Sequence, residues 1–364
     1  MREITSRFSI FRGKTVLVTG HTGFKGSWLT LWLHKLGAKV HGYSLPPTTE
    51  PNNYTAARVA DVLETECLDD IKNRARFTEY IHAVQPDCIF HLAAQPLVRK
   101  SYAEPVETFE ANIMGSIYLM DALRTLGKPC TAVMITSDKC YENVGKPEGY
   151  VETDPMGGHD PYSASKGCAE LAVSSYRRSF FPPDKVAEHG IRLASVRAGN
   201  VIGGGDWAED RIIPDAVRAV TSGKALEVRS PHAVRPWQHV LEPLSGYLLL
   251  AEKLMQDADR FADGWNFGPY AAGATTVSEI IDLFYAKWGE GKAEYDKEAP
   301  KLHEAAFLTL SSEKAMRELG WKPTWTLEEN VEYTAQWYQR FYSGEDAREL
   351  TLADIEEYMK KMEY

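Results

Sequence analysis

At 364 residues, with 44% hydrophobic and 25% charged side chains, the chain has the composition of a globular protein with one large or two interlocked domains. Its net charge of −10 argues against nucleic acid or an anionic membrane surface as partner. No apolar run is long enough to span a bilayer, and residues 1–12 lack a continuous hydrophobic signal core.

Five scattered cysteines without a Cys-x-x-Cys spacing predict a reduced, cytoplasmic protein without a structural metal. Residues 14–19 read as a short buried strand that runs into Gly20-His-Thr-Gly23-Phe-Lys-Gly26. Residues 27–36 then show helical apolar spacing through Trp28, Leu29, Trp32, Leu33 and Leu36. A glycine loop between strand and helix suits a dinucleotide. The first glycine allows the tight turn, the second admits a pyrophosphate, and the third lets helix pack on strand. Gly20, Thr22, Gly23, Phe24, Lys25 and Gly26 are therefore candidate cofactor contacts. The spacing differs from the Gly-x-Gly-x-x-Gly of ordinary dehydrogenases.

Residues 39–43 form a second strand, whose end, Gly42-Tyr43-Ser44, lacks the acid that usually holds the adenosine ribose. No arginine cluster stands there for a 2′-phosphate, so the site leaves NAD and NADP open and predicts a loosely held cofactor. After the third strand, Asp69 or Asp70 could meet the adenine amino group or cap a helix from Ile71 onward. Residues 88–92 and 131–136 are further strands, each preceded by a helix, which predicts parallel βαβ units. Beyond Val196 the pattern loosens at Gly203-Gly204-Gly205, and residues 354–364 read as a terminal amphipathic helix. The expected class is α/β: a Rossmann-type doubly wound parallel sheet with a smaller C-terminal α/β substrate lobe.

Ser137-Asp138-Lys139 follows the strand 131–136, and of the 18 tyrosines only Tyr162 has a lysine, Lys166, four residues on. Positions i and i+4 share a helix face, so phenol and ammonium can converge, and the ammonium favours phenolate. Against that stand a surface ion pair at Asp138–Lys139 and a strand cap at Ser137. Ligands bind at the C-terminal ends of parallel strands, which favours chemistry. The set suggests hydride transfer from an alcohol, with an extra acid and base beside it.

With Thr19-Gly-x-x-Gly-Phe-x-Gly26, His91-Leu-Ala-Ala94, Asn112-x-x-Gly115 and Tyr162-x-x-x-Lys166, the chain resembles the extended short-chain dehydrogenase/reductase family. Arg197-Ala-Gly-Asn200-Val-Ile-Gly-Gly-Gly-Asp206-Trp207 and Arg235-Pro-Trp-Gln-His-Val240 are similar to its nucleotide-sugar branch. Ser137-Asp138-Lys139-Cys140-Tyr141 is similar to the site of the CDP-glucose 4,6-dehydratase group, where dTDP-glucose dehydratases carry Thr-Asp-Glu. The resemblance implies an NAD-binding domain over 1–196, with segments near 236–267 returning to it. Residues 197–364 would form an interleaved nucleotide-sugar lobe.

What the resemblance implies is NAD-dependent dehydration of CDP-glucose to a 4-keto-6-deoxy sugar, toward deoxy- or dideoxyhexose synthesis for surface polysaccharide such as O-antigen. Tyr162 would take the C4 hydroxyl proton. Lys166 would lower the tyrosine pKa and hold the nicotinamide ribose, and Ser137 would hydrogen-bond the C4 oxygen. A neutral Lys139 could remove the C5 proton and a protonated Asp138 could help the C6 hydroxyl leave; which of the two is acid or base stays open. Leu92, Ala93 and Ala94 would line the cofactor. Gln95, Asn200, Arg211 and Arg235 would meet the substrate, with Lys301 and His303 near the nucleotide. Trp237 could line that pocket or the core. Family members pair through two long helices, here 105–126 and 161–181, carrying Ile113, Leu119, Leu123, Leu171 and Val173; a homodimer is expected. The competing readings are a nucleotide-sugar 4-epimerase, for which Asp138-Lys139 would be superfluous, and a non-catalytic dinucleotide-binding protein.

Overall fold

Seven parallel strands form the centre of the molecule in a computed structural model that describes residues 7–270, 274–295 and 307–362. Their order across the sheet is Gly264–Phe267, Ile191–Ala198, Cys130–Ile135, Cys88–His91, Thr15–Thr19, Lys39–Ser44, Thr65–Leu68. The four strands whose bounds the sequence sets lie within a residue of expectation. They are strongly buried because parallel strands are covered on both faces, which is why they read as apolar runs. The order of connection reverses between Thr15–Thr19 and Cys88–His91, and the crevice beyond such a reversal is where ligands bind in doubly wound sheets.

The helix after the glycine loop, Phe24–Lys35, is buried from Gly26 to Leu33, so it shows no single apolar stripe. The reason is its place between the sheet and the C-terminal helix Ala347–Met362. The Trp32 ring meets Phe8 edge-on at 6.0 Å and Tyr358 at 5.9 Å. Truncating such a tryptophan to alanine costs about 3–5 kcal/mol. The C-terminal helix begins seven residues before the expected 354, because Asp346 accepts the Arg348 and Glu349 amides at 2.9 and 3.2 Å and so starts it.

Three strand pairs outside the main sheet build the smaller lobe: Val234–Pro236 with Ala274–Thr276, Gln238–His239 with Val201–Ile202, and Leu226–Val228 with Ala293–Tyr295. The helix expected over 105–126 is Pro105–Phe109, a wide π-turn at Glu110–Met114, and Gly115–Leu123. Its partner is the helix Pro161–Ser179. Leu119, Leu123 and Val173 face the sheet and are buried, Ile113 is half-buried, and Leu171, Val106 and Met114 are exposed. Most apolar positions expected to pair chains thus serve the core instead.

Candidate active site

The strand Thr15–Thr19 delivers Gly20 in the left-handed region at φ +76°, and a Cβ there would lie 2.8 Å from the Ala93 amide. A Cβ on Gly26 would lie 2.0 Å from the Gly20 carbonyl oxygen. Neither glycine can be replaced without moving backbone. The helix starts at Phe24 with Gly23 as its N-cap, no capping side chain and no acid in its first turn. Its leading N–H groups are left for an anion, so the loop fits a dinucleotide pyrophosphate. Behind the loop, Thr19 Oγ1 and His91 Nδ1 lie 2.8 Å apart, and Thr19 Oγ1 also accepts the Ala93 amide at 3.2 Å. Burial drives the His91 pKa down to about 3, so it is a neutral link between two strand ends. Leu92, Ala93 and Ala94, half-buried, line the same crevice.

Thr22 donates to the Leu45 carbonyl and lies 2.8 Å from Ser44 Oγ, which commits the end of the second strand to the loop. Gly42 is glycine because the His21 ring lies where a side chain would be, 2.6 Å from a Cβ. His21 Nε2 in turn meets Glu66 at 2.9 Å, and Glu66 accepts the Tyr54 hydroxyl at 2.9 and 3.0 Å. This acid beside the loop comes from the third strand. Its only trace in the sequence is the pairing of Gly42 with Glu66, which exists only once the strands are in register. Asp69 accepts the Asp70 amide and the Asn73 side chain, and Asp70 accepts the Lys72 amide. Both shape the turn, and Asn73 rather than either aspartate caps the next helix.

Ser137 ends the strand Cys130–Ile135 in extended backbone and caps the single turn Asp138–Cys140. It accepts the Lys139 amide at 3.2 Å and donates to Asp138 Oδ1 at 2.9 Å. Asp138 is buried, and its Oδ2 takes no hydrogen bond from any described residue. Burial raises its pKa, opposed by Lys139, Ser137, Arg235 and Lys25. A buried carboxyl with a vacant oxygen is suited to carry a proton. The Lys139 amine lies 6.0 Å from the Tyr162 ring centroid, which brings the two motifs together.

Tyr162 and Lys166 lie on the helix Pro161–Ser179, which Asp160 caps through the Ser163 amide at 2.9 Å. Burial pushes the Tyr162 phenol up to about 12, with a hydrogen bond to Ser137 and the Arg211 charge pulling it back. Lys166 instead points its ammonium at the Ile135 carbonyl, 3.5 Å away, and burial draws it down to about 8. Desolvation penalises both charged forms and is the largest cause acting on each. Asn112, on the π-turn, ties this helix to the crevice. It donates to Ser165 Oγ at 2.8 Å and to the Gln95 carbonyl at 3.1 Å.

Arg211 pairs with Asp206 at 2.8 Å, and its charge reaches Tyr162. Arg235 is buried on the strand Val234–Pro236, donates to the Val234 carbonyl and acts electrostatically on Asp138. Lys25 stands among them: burial and Arg211 draw it down to about 8, against Asp138 and Asp206. Asn200 is half-buried beside Gln238, whose amide its carbonyl accepts. Gln95 has its side-chain amide committed to Leu97 and Thr108, so it holds the loop it sits on. Trp237 is a core residue, with its indole donated to the Thr275 carbonyl at 3.2 Å. Lys301 and His303 lie outside the described residues.

The family model described as GDP-mannose 4,6 dehydratase matches residues 17–334. A CDP-glucose 4,6-dehydratase from Salmonella typhimurium is 46% identical over 351 residues, covering 96% of this chain and 98% of that protein. An epimerase from Methanothermobacter thermautotrophicus superposes with a TM-score of 0.78 at 21% identity, over 93% of this chain and 96% of the other. A dTDP-glucose 4,6-dehydratase from Streptomyces venezuelae, solved with NAD and TYD bound, gives 0.75 at 22% identity, over 90% and 98%. The two solved structures share the fold; the Salmonella protein also shares nearly half of the aligned sequence.

Proposed function

This chain belongs to the GDP-mannose 4,6 dehydratase family, and from that premise we propose that it dehydrates CDP-glucose to CDP-4-keto-6-deoxyglucose. The observation that carries the reading is the vacant, buried Asp138 oxygen next to Lys139, whose amine lies over the Tyr162 ring. An epimerase has no use for that acid–base pair. The 46% identity with the Salmonella CDP-glucose enzyme supports the nucleotide.

The loop Gly20–Gly26 and the wall Leu92–Ala94 would hold NAD, which would supply the hydride chemistry needed at C4 and C6. Tyr162 accepts the C4 hydroxyl proton. Ser137 hydrogen-bonds the oxygen as it becomes a carbonyl, a contact that strengthens as charge develops. The carbonyl acidifies C5, and Lys139 removes that proton and gives one back to C5 when hydride reaches C6. Asp138 protonates the C6 hydroxyl, which leaves as water. We assign Arg211 and Arg235 to the diphosphate, since a guanidinium fork donates in pairs to phosphate oxygens.

Assay with CDP-, UDP- and dTDP-glucose in the presence of NAD tests this directly. A product absorbing in alkali, formed fastest from CDP-glucose, is expected. A C4 epimer would establish the epimerase, and no turnover with any of the three would leave a binding protein. Among the described residues no helix is long and apolar enough to cross a membrane. We place the reaction in the cytoplasm, ahead of deoxy- or dideoxyhexose synthesis for surface polysaccharide. The exposed Val106, Met114 and Leu171 support a homodimer through the helices that carry them; light scattering giving the monomer mass at micromolar concentration would refute it.

A further inference from the structure

Tyr162, Lys166 and Glu170 follow one another at intervals of four along the helix Pro161–Ser179, and all three are more than nine-tenths buried. Glu170 has no part in the chemistry described above, yet its carboxylate is among the most heavily bonded groups in the molecule. One oxygen accepts the Thr136 hydroxyl, and the other accepts Ser195 at 2.7 Å and the Arg197 guanidinium at 2.8 Å. Arg197 also donates to the Tyr141 hydroxyl at 2.6 Å and the Glu152 carbonyl at 3.1 Å, and Tyr141 donates to Asn266 at 2.8 Å. The segment thus pinned is 135–141. It contains the Ile135 carbonyl facing Lys166, as well as Ser137, Asp138 and Lys139.

We infer that Glu170 is a positioning residue: fixed by Arg197 and one helical turn from Lys166, its carboxylate fastens the segment bearing Ser137 and stands as counter-charge to the Lys166 ammonium. The groups facing Lys166 are Glu170 on its own helix, Cys140 from the turn after Ser137, His91 from the strand Cys88–His91 and Lys25 from the glycine loop. His91 is neutral and burial holds the Cys140 thiol protonated. Lys25 is a competing cation. Glu170 is the carboxylate of this set and opposes the burial that draws Lys166 down to about 8. Glu170 is faced in turn by Arg197, Arg177 and Cys140. Its own pKa is lowered against strong burial by Arg197 first, then by its hydrogen bonds, so it stays ionised.

The inference rests on the dehydratase reading for its kinetic arm alone. A titration of Lys166 in carbon-labelled protein, with the resonance assigned by Lys166→Met, needs no substrate. In Glu170→Gln the Lys166 titration should fall by about one pH unit or more, the usual effect of losing a nearby opposite charge. The alkaline limb of kcat should move down with it, because activity is lost once the ammonium deprotonates. Glu170→Asp keeps the charge and should keep both near wild type. A buried unpaired Arg197 threatens the fold of Glu170→Gln, so Glu170→Gln/Arg197→Met, with no unpaired charge, runs alongside and should show a smaller downward movement, because the Arg197 charge is removed with the carboxylate. A Lys166 titration unmoved in whichever of these folds overturns the inference. Wild-type protein without turnover overturns the dehydratase reading and leaves the titration to decide this one.

Discussion

Replacing Lys139 by methionine separates the two halves of the reaction. The substitution keeps the length of the side chain and deletes the amine that lies 6.0 Å from the Tyr162 ring centroid. Ser137, Tyr162 and Lys166 are untouched, so oxidation at C4 should proceed. Asp138 should also stay competent. Of the groups that oppose the burial-raised pKa of Asp138, Lys139 is the largest, so removing it raises that pKa further and favours the protonated carboxyl. The lesion is therefore confined to the C5 proton. Loss of a positioned base costs about 10²–10⁴-fold in kcat, or about 3–5 kcal/mol of barrier. On rapid mixing with CDP-glucose, reduced nicotinamide should appear at the wild-type rate and then persist. Hydrogen at C5 should no longer exchange with solvent deuterium. Asp138→Asn should differ, retaining C5 exchange while loss of the C6 hydroxyl slows. If Lys139→Met exchanges C5 hydrogen and turns over normally, Lys139 is a bystander and the base lies elsewhere.

Tyr162→Phe should lower kcat by about 10²–10⁴-fold while leaving nucleotide binding and melting temperature near wild type, because one hydroxyl is lost. Near wild-type kcat would remove it from the mechanism. The end of the second strand offers the adenosine ribose no acid. Purified protein should therefore be partly empty and gain activity on added NAD, and a preparation saturated with tightly held NAD would contradict this. Asp354 is buried, its pKa raised to about 8 by burial, and one oxygen has no partner among the described residues. The native state then keeps a proton that the unfolded chain releases. Its stabilising contribution is complete below about pH 4 and lost as pH rises toward about 8. Asp354→Asn should be more stable than wild type at pH 8 by up to about 5 kcal/mol and lose that advantage near pH 4; equal pH dependence in thermal melts would show that Asp354 is solvated.

What could be read from the sequence was local. The strand at Thr15–Thr19, the glycine loop and the Tyr162–Lys166 pair all lie within short windows whose spacing alone carries meaning. The residues that escaped are joined across the fold. Glu66 reaches His21 over 45 positions, and only because Gly42 and Glu66 are register partners. Glu170 meets Arg197 over 27 positions, from a helix to a strand. Burial was the second thing missing. Asp354 looks like the polar start of a terminal helix, yet that helix begins at Ala347 and turns Asp354 inward with Leu350, Ile355 and Tyr358.

The same blindness explains Tyr162. From spacing alone, a lysine four residues away argues for a low phenol pKa. In the folded chain both groups are buried and the phenol moves up, because desolvation is the largest cause acting on it. A phenol held that high in the free protein is a weak base near neutral pH. Its proton leaves more readily as positive charge gathers around it, and Arg211 is the chain's own cation that acts on it. On this reasoning the carboxylate that holds that cation in position, Asp206, matters to the base as much as the cation does.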